Sequence, residues 1–334
     1  MRTAVPVIDV APFRSGTRPD RLAVAAAVDR ACTDIGFFTI VGHGVPAAVV
    51  ARMARVARAF FDLPIDEKRR GARPRPEQSR GYTGVGDENL AQSLGYAGTT
   101  DLKEFFAIGP VDVPDEPYYH CPEAYPSFAP NVWPERPAGF CEAWTDYYRA
   151  MEGLAATTMR IFALALGLRE DHFEETTNRH ISGLRVLNYP EQPSAPSPGQ
   201  LRAGAHTDYG AVTILRSENR PGGLQVLNRR AEWVDVQAAP DSFVLNLGDL
   251  MMRWTNDRWV STLHRVVNPP RDAALGSRRQ SIVFFHQPNY DAVIECLRGC
   301  AGPGNPPRYE PVTSGRHRLE KFLKGVGAAP TPAG

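Results

Sequence analysis

A run of short strand-like segments in the second half of the chain most constrains its fold. After about Ser182, stretches of branched and aromatic residues alternate with Gly, Pro, Asn and Asp, which is typical of short strands joined by turns. At least seven such strands fall within just over 100 residues, a density that indicates a sandwich or jelly roll. The 29 glycines and 30 prolines among 334 residues supply the turns. The segments are SGLRVLNYP, GAVTILRS, GGLQVLN, EWVDVQ, DSFVLNLG, STLHRVV and RRQSIVFFHQP.

Helical periodicity lies mainly in the first half of the chain. Apolar spacing predicts helices over residues 19–35, 47–62 and 138–168, and a final helix over 314–323 that caps the barrel. Residues 69–131 are rich in Pro, Gly and charge, which predicts a long irregular excursion serving as lid or entrance. The fold class is mainly β with flanking helices. We expect one structural unit made of an N-terminal helical and mixed region (1–130), a bracing helix (131–180), a β-barrel (181–290) and a C-terminal segment (291–334).

Composition narrows the range of partners. The formal net charge is +1, which argues against general affinity for nucleic acid or anionic membranes. The five cysteines show no CxxC pair, so a reducing compartment is indicated. No apolar run is long enough to span a bilayer. We therefore expect a cytoplasmic protein that acts on a small molecule, as a monomer or small homo-oligomer.

Two histidines and an aspartate form the candidate metal site. In extended chain, His206 and Asp208 project from the same face because side chains alternate. His264 lies on another predicted strand, which a jelly roll stacks close enough to supply a third ligand. Two imidazoles and one carboxylate form the facial triad of non-haem Fe(II) oxygenases. The alternative interpretation is a surface turn histidine bonded to Asp208, with His264 as a buried strand histidine.

The following strand carries a candidate anion site. Arg279 and Ser281 share one face, and a guanidinium with a nearby hydroxyl can hold a carboxylate through charge-assisted hydrogen bonds. Tyr189, at the end of an earlier strand, can add a phenolic donor. The apolar segment IVFF after Ser281 indicates a buried strand, and a buried arginine needs an anionic partner. A solvated edge beside Arg278 is the alternative for Arg279.

These motifs resemble the 2-oxoglutarate and Fe(II)-dependent dioxygenases of the isopenicillin N synthase-like superfamily. The resemblance implies a double-stranded β-helix, a distorted and cupin-like jelly roll, flanked by N-terminal helices. It implies that His206, Asp208 and His264 bind the metal and that Arg279 and Ser281, supported by Tyr189, bind the C5 carboxylate of 2-oxoglutarate. The segments that carry it are VPVIDVAPF, GFFTIVGHGVP, RGY, DLKEFFAIG, HTDYGAVTIL, GGLQV, NLGDLMMRWTND, STLHRVVNP and RQSIVFFHQPN.

Two positions refine the resemblance. Plant members place Asn two residues before the tyrosine, whereas Leu187 stands there in this chain and Asn188 is shifted by one. Halogenases of the family replace the carboxylate ligand by a small residue, so Asp208 argues against halogenation.

The resemblance implies an oxidoreductase that uses Fe(II), 2-oxoglutarate and O2, with ascorbate as a reductant. It would hydroxylate, desaturate or cyclise a small molecule and release succinate and CO2. Two alternatives stay open: an Fe(II)/O2 oxidase of the same fold that does not use 2-oxoglutarate, and a Zn or Mn barrel hydrolase or isomerase. The Ala- and Arg-rich, Lys-poor composition suggests a high-GC bacterial gene and specialised metabolism.

The substrate pocket is expected to form from the barrel mouth, the lid-like excursion and the C-terminal segment. Arg185 shares a strand face with Tyr189 and offers a charge to an acidic substrate, whereas a salt bridge to a neighbouring acid is the alternative. The candidate substrate residues are Tyr82, Phe106, Arg185, Tyr209 and Phe285, with Phe105 and His286 as further candidates.

Overall fold

A computed structural model describes residues 5–95 and 99–325. The expected N-terminal region, the excursion and the C-terminal segment therefore extend in part outside the described residues, at 1–4, 96–98 and 326–334. The helices are α1 (Ala11–Ser15), α2 (Arg18–Asp34), α3 (Ala47–Phe61), α4 (Ile65–Arg70), α5 (Pro117–His120), α6 (Phe140–Ala165), α7 (Glu174–Thr177), α8 (Asp249–Trp254) and α9 (Ser314–Gly325).

The strands alternate with these helices along the chain. They are β1 (Val7–Asp9), β2 (Phe37–Val41), β3 (Gly81–Thr83), β4 (Glu104–Ile108), β5 (Gly183–Tyr189), β6 (Ala203–His206), β7 (Val212–Ser217), β8 (Leu224–Leu227), β9 (Trp233–Asp235), β10 (Phe243–Leu247), β11 (His264–Val266), β12 (Arg279–His286), β13 (Val293–Ile294) and β14 (Val312–Thr313).

Two sheets form the core of the described chain. The larger sheet has eight strands in the order β1-β2-β10-β7-β12-β5-β4-β3, and the smaller has four in the order β6-β11-β8-β9. In the larger sheet β1 and β2 are parallel, and the other paired strands are antiparallel. The two sheets share one cavity, whose wall includes residues of β5, β7 and β12 from one sheet and β6, β8 and β11 from the other. This arrangement confirms the expected jelly-roll core.

Strand alternation divides each central strand of the larger sheet between two environments. On β5, Val186 belongs to the main hydrophobic core, which also contains the buried apolar residues of α6, whereas Arg185 and Tyr189 face the cavity. Because neighbouring side chains point to opposite faces, one strand can bury apolar residues behind the sheet and present polar groups in front of it. The helices α2 and α3 pack on α6 and complete the outer layer.

The excursion expected at residues 69–131 is more regular than its composition indicates. Within it, β4 pairs with β5 and β3 pairs with β4, so both strands extend the larger sheet. The expectation of an irregular segment was wrong for these two strands, because FFAI of β4, which is apolar on both faces, is buried throughout. The four expected helices correspond to α2, α3, α6 and α9, with boundaries that differ by a few residues.

Candidate functional site

The three candidate metal ligands meet at one end of the cavity. His206 ends β6 and His264 begins β11, and the two residues are direct register partners. Asp208 follows in the turn after β6. The possible ligand atoms of the three side chains all lie within 4.8 Å of one another. Asp208 Oδ1 is 4.0 Å from His206 Nε2 and 3.8 Å from His264 Nε2, which is too far for hydrogen bonds.

Backbone carbonyls fix the orientation of both imidazoles. His206 Nδ1 lies 2.7 Å from the Gly204 carbonyl oxygen, and His264 Nδ1 lies 3.0 Å from that of Thr262. When Nδ1 donates to these carbonyls, each Nε2 is left with its lone pair directed toward the shared space. This outer hydrogen bond is the usual support of a metal-binding histidine. Burial, followed by the neighbouring His264, lowers the pKa of His206, which favours the neutral form that binds metals.

Asp208 is held by its other oxygen. Thr213 Oγ1 and Asn246 Nδ2 donate to Asp208 Oδ2 at 2.5 and 2.6 Å. Both partners are buried, and both lie on strands of the larger sheet. Oδ1 is therefore turned toward the histidines. Sequence reasoning missed these two supports, although Asn246 lies in NLGD on a fully buried strand, where a polar side chain needs a partner.

A close contact between two glycines positions this turn. The Asp208 carbonyl accepts a hydrogen bond from the backbone N–H of Asp249 at 2.8 Å. A Cβ added at Gly248 would lie 2.3 Å from the carbonyl oxygen of Gly210. Only glycine allows the two segments to approach this closely, and their contact keeps Asp208 beside the histidines.

The anion site predicted on β12 lies in the same cavity. Arg279 is 2% exposed, and its register partner across the sheet is Tyr189, whose ring centroid is 5.0 Å from the guanidinium carbon. Nη2 of Arg279 donates to Ser217 Oγ, whereas Nε and Nη1 have no hydrogen-bond partner among the described residues. Ser281 faces the cavity two residues farther along.

This geometry fits a bound carboxylate. A buried guanidinium with two unused donors is unfavourable unless an anion accepts them, and burial accordingly lowers the pKa of Arg279. Burial also raises the pKa of Tyr189, so its hydroxyl remains a donor at neutral pH. The site therefore offers several donors of the kind that bind a carboxylate, in the cavity that also holds the histidine–aspartate cluster.

Comparisons with known proteins agree with this site. Residues 181–288 match the 2OG-Fe(II) oxygenase superfamily, and residues 5–136 match the family described as non-haem dioxygenase in morphine synthesis N-terminal. The 2-oxoglutarate-Fe(II) type oxidoreductase hxnY of Emericella nidulans is 36% identical, over 97% of this chain and 89% of that protein. The chain belongs to the 2OG-Fe(II) oxygenase superfamily.

Further comparisons of this 2OG-Fe(II) oxygenase also cover most of the chain. Validamycin A dioxygenase of Streptomyces hygroscopicus is 32% identical, over 91% of this chain and 82% of that protein. A crystal structure of a Neurospora crassa protein in complex with alpha-KG and thymine superposes with a TM-score of 0.83 at 29% identity and covers 96% of each chain. The enzyme is a 2-oxoglutarate-dependent dioxygenase, and its cofactors are Fe(II), 2-oxoglutarate and O2.

The structure separates the candidate substrate residues of this oxygenase into two groups. Arg185, Tyr209 and Phe285 line the cavity. Tyr82 and Phe106 were wrong candidates: they belong to the hydrophobic core behind the sheet and are not among the residues that line the cavity. They occupy the same face of the sheet as Val186 on β5, and their rings contact the helices α3 and α6.

The two further candidates also lie outside the cavity wall. Phe105 is buried beneath Arg185, with its ring centroid 4.0 Å from the guanidinium carbon. His286 is buried at the end of β12, where Nδ1 lies 3.0 Å from Ser182 Oγ. Neither residue is part of the cavity wall. Phe105 packs in the same apolar cluster as the cavity residues Leu187 and Tyr189.

Several cavity residues were not found by sequence reasoning. Glu88 comes from the excursion, and Arg318 and Phe322 come from α9, which reaches back over the cavity. The expected capping helix thus supplies part of the wall. Its inward-facing side chains depend on how the helix docks, and no motif in the sequence marks them. No helix in residues 5–95 or 99–325 is both long and apolar enough to cross a membrane.

Proposed function

We propose that His206, Asp208 and His264 bind Fe(II) and that Arg279, Ser281 and Tyr189 bind the C5 carboxylate of 2-oxoglutarate. The observation that carries this assignment is the presence of both groups in one cavity, each with unused bonding capacity. The Nε2 atoms and Asp208 Oδ1 converge without hydrogen bonding to one another, and Arg279 retains two unused donors. Three protein ligands leave the remaining metal positions open.

The protein groups have distinct roles in this proposal. Bound Fe(II) supplies the O2 chemistry that converts 2-oxoglutarate to succinate and CO2 while the substrate is oxidised. Carbonyl contacts hold the imidazoles, and Thr213 and Asn246 hold Asp208. Arg279 fixes the far end of 2-oxoglutarate. The apolar wall, to which Leu215, Leu224 and Val283 contribute, limits water in the cavity.

The substrate is a small molecule that undergoes hydroxylation, desaturation or ring formation. The cavity encloses about 130 Å³ of space that the centre of a water molecule can reach, in keeping with a small ligand. We propose a role in bacterial specialised metabolism, supported by the Ala- and Arg-rich composition and by the Streptomyces relative. All five cysteines are free, which fits a cytoplasmic location.

An anaerobic titration tests the cofactor assignment. Fe(II) and 2-oxoglutarate added together should produce a visible metal-to-ligand charge-transfer band, whereas Fe(II) alone should not. On admission of O2 and ascorbate, succinate should form, and a panel of small molecules should increase its rate. Activity without the band or succinate would refute the use of 2-oxoglutarate and favour the Fe(II)/O2 oxidase. Activity with Zn or Mn under anaerobic conditions would favour a hydrolase or isomerase.

A further inference from the structure

Positive charge is concentrated at the side of the cavity formed by β5 and α9. Arg185 and Arg318 both line the cavity. Two further guanidinium groups, those of Arg73 and Arg80, are close enough to interact electrostatically with one or the other. We call these four residues, Arg73, Arg80, Arg185 and Arg318, the arginine cluster. Like charges at this density are unfavourable in a partly buried site unless negative charge offsets them.

The acids at this site are already paired. Glu88 Oε1 lies 3.2 Å from Arg185 Nη1, and Glu88 Oε2 lies 3.0 Å from Lys103 Nζ. Asp101 Oδ2 lies 2.5 Å from the same Lys103 Nζ. Two carboxylates are thus matched by one lysine and Arg185. Arg185 therefore forms the salt bridge that was the alternative to direct binding of an acidic substrate.

Arg80 and Arg318 form no ion pair with a carboxylate among the described residues, whereas Arg73 interacts electrostatically with Glu88 and Asp87. Arg80 donates to the backbone carbonyls of Ser79, Ser127 and Ala129, which satisfy hydrogen bonds without neutralising its charge. Arg73 donates to the Thr83 hydroxyl at 3.0 Å. Arg318 forms no hydrogen bond or ion pair within the described part of the chain, although its side chain is partly buried.

Arg318 lies close enough to two other guanidinium groups, those of Arg185 and Arg80, to be repelled by their charge. Burial, followed by the charge of Arg185, lowers the pKa of Arg318 to about 10. Burial, followed by the charge of Arg318, lowers the pKa of Arg80 to about 9. Both groups therefore stay protonated at neutral pH. The potential in this part of the cavity is positive, and an entering anion would be stabilised by the cluster as a whole.

The surroundings of Arg318 also define the uncharged part of a ligand. Phe322 lies one helical turn after Arg318 on α9, and both side chains reach the same cavity. Leu90, Leu187 and Phe285 contribute further apolar surface to its wall. A ligand that filled this space would place a charged group at Arg318 and an apolar body along these residues.

We propose that the substrate is an organic acid with an apolar body and that Arg318 binds its carboxylate. The assignment rests on the proposed function, because the same cavity contains the metal and 2-oxoglutarate sites. Arg318 supplies charge-assisted hydrogen bonds, and Arg185, held by Glu88, adds positive potential. An acidic substrate was considered from the sequence with Arg185 as its partner. In this proposal the partner of the substrate carboxylate is Arg318.

Matched pairs of acids and primary amides test this proposal. The probes are benzoate with benzamide, phenylacetate with phenylacetamide, and hexanoate with hexanamide. Binding is measured by calorimetry under anaerobic conditions in protein loaded with Fe(II) and 2-oxoglutarate. At least one acid should bind more tightly than its amide by roughly tenfold or more, as expected for a charged rather than a neutral hydrogen bond. If no acid binds more tightly than its amide, the proposal is overturned.

Two substitutions of Arg318 on α9 test whether this residue causes the preference for acids over amides. Arg318→Gln should weaken binding of the preferred acid by roughly ten- to a hundredfold and change amide binding little. Arg318→Lys, which keeps the charge, should retain most of the preference and controls for misfolding. Arg316→Gln is the matched control, because Arg316 lies on the same helix, paired with Glu320 at the surface. An unchanged acid-to-amide ratio in folded Arg318→Gln would overturn the proposal.

Repeating the titrations without Fe(II) and 2-oxoglutarate separates this proposal from the proposed function. An acid preference that depends on Arg318, in protein that gives no charge-transfer band, would support the anion site and refute the cofactor assignment. A normal band together with equal binding of acids and amides would refute only the anion site.

Discussion

His206 and His264 are direct register partners on the adjacent antiparallel strands β6 and β11, and their ring centroids are 4.3 Å apart. The strand pairing therefore sets the separation of the two imidazoles before any metal is bound. The backbone carbonyls two residues before each histidine fix the ring orientations in the same way. The site is largely preorganised by backbone geometry, so changes to its side chains should affect metal binding more than folding.

Replacing one of these histidines should abolish stabilisation by metal. Fe(II) at about a hundred times its dissociation constant should stabilise the native protein by about 2.7 kcal/mol, measured anaerobically as a rise in Tm. His264→Ala should lose this rise and the charge-transfer band. His120→Ala is the control, because His120 is exposed on α5 and pairs only with Asp115 among the described residues. Full Fe(II) stabilisation of His264→Ala would contradict the assigned site.

Thr213 should tune metal affinity through Asp208. Thr213→Val keeps the side-chain shape but removes the hydrogen bond to Asp208 Oδ2. Loss of such an outer contact costs about ten- to a hundredfold in metal affinity, so the Fe(II) dissociation constant should rise within that range while the KM for 2-oxoglutarate changes less. Equilibrium dialysis measures the first value and succinate release the second. Unaltered Fe(II) binding would show that Asn246 alone orients the carboxylate.

Arg279 and its neighbour Arg278 form a matched pair for 2-oxoglutarate binding. Arg278 bonds to Asn188 and Asp62, whereas Arg279 faces the cavity. Arg279→Gln should weaken 2-oxoglutarate binding by about ten- to a hundredfold, the effect expected for a lost charge-assisted hydrogen bond. Arg278→Gln should leave it within about twofold, because surface ion pairs contribute little. The anaerobic band gives both constants, and equal effects of the two changes would argue against a specific carboxylate site.

Glu88 should make stability sensitive to acid. Although burial opposes its ionisation, Lys103 and then Arg185 lower its pKa to about 2, from an ordinary value of 4.5. A lowered native pKa stabilises the fold above pH 4.5, and this contribution is lost as the pH falls toward 2. Glu88→Gln should be less stable at pH 7 by about 3–5 kcal/mol. Its unfolding free energy, measured by denaturant titration, should also fall less between pH 5 and pH 3 than that of the wild type.

Substitution of Tyr82 tests whether this residue stabilises the hydrophobic core or binds substrate. Its hydroxyl donates to Glu104 Oε2 at 2.5 Å, and Lys68 Nζ lies 2.8 Å from the same oxygen. Tyr82→Phe should lower the unfolding free energy by about 1–3 kcal/mol, because it removes a buried hydrogen bond to a charged group. The KM values for 2-oxoglutarate and substrate should stay unchanged. A selective rise in the substrate KM without loss of stability would show that Tyr82 contributes to substrate binding.

The sequence predicted the residues whose positions follow from strand alternation. His206 with Asp208, and Arg279 with Ser281, are two residues apart, so each pair shares a face of its own segment. The same rule correctly linked Arg185 to the face of Tyr189. The family resemblance then joined segments far apart in the chain, which local periodicity cannot do.

Residues whose positions depend on docking were not predictable in this way. Tyr82 and Phe106 lie on strands, but alternation alone does not indicate which face meets the cavity and which meets α6. Arg318 lies on a helix whose inward face is set by its contact with the barrel. Glu88 lies in a segment that local composition marks only as irregular. Each of these positions is decided by tertiary packing, which a single sequence does not display.

The pairing of β2 with β10 has a consequence for synthesis of the chain. These strands are neighbours in the larger sheet although about 200 residues separate them in sequence. Contacts this distant slow folding, and a chain emerging from the ribosome exposes the apolar edge of β2 until β10 has been made. Early termination of translation would therefore leave an aggregation-prone fragment, not a smaller working enzyme.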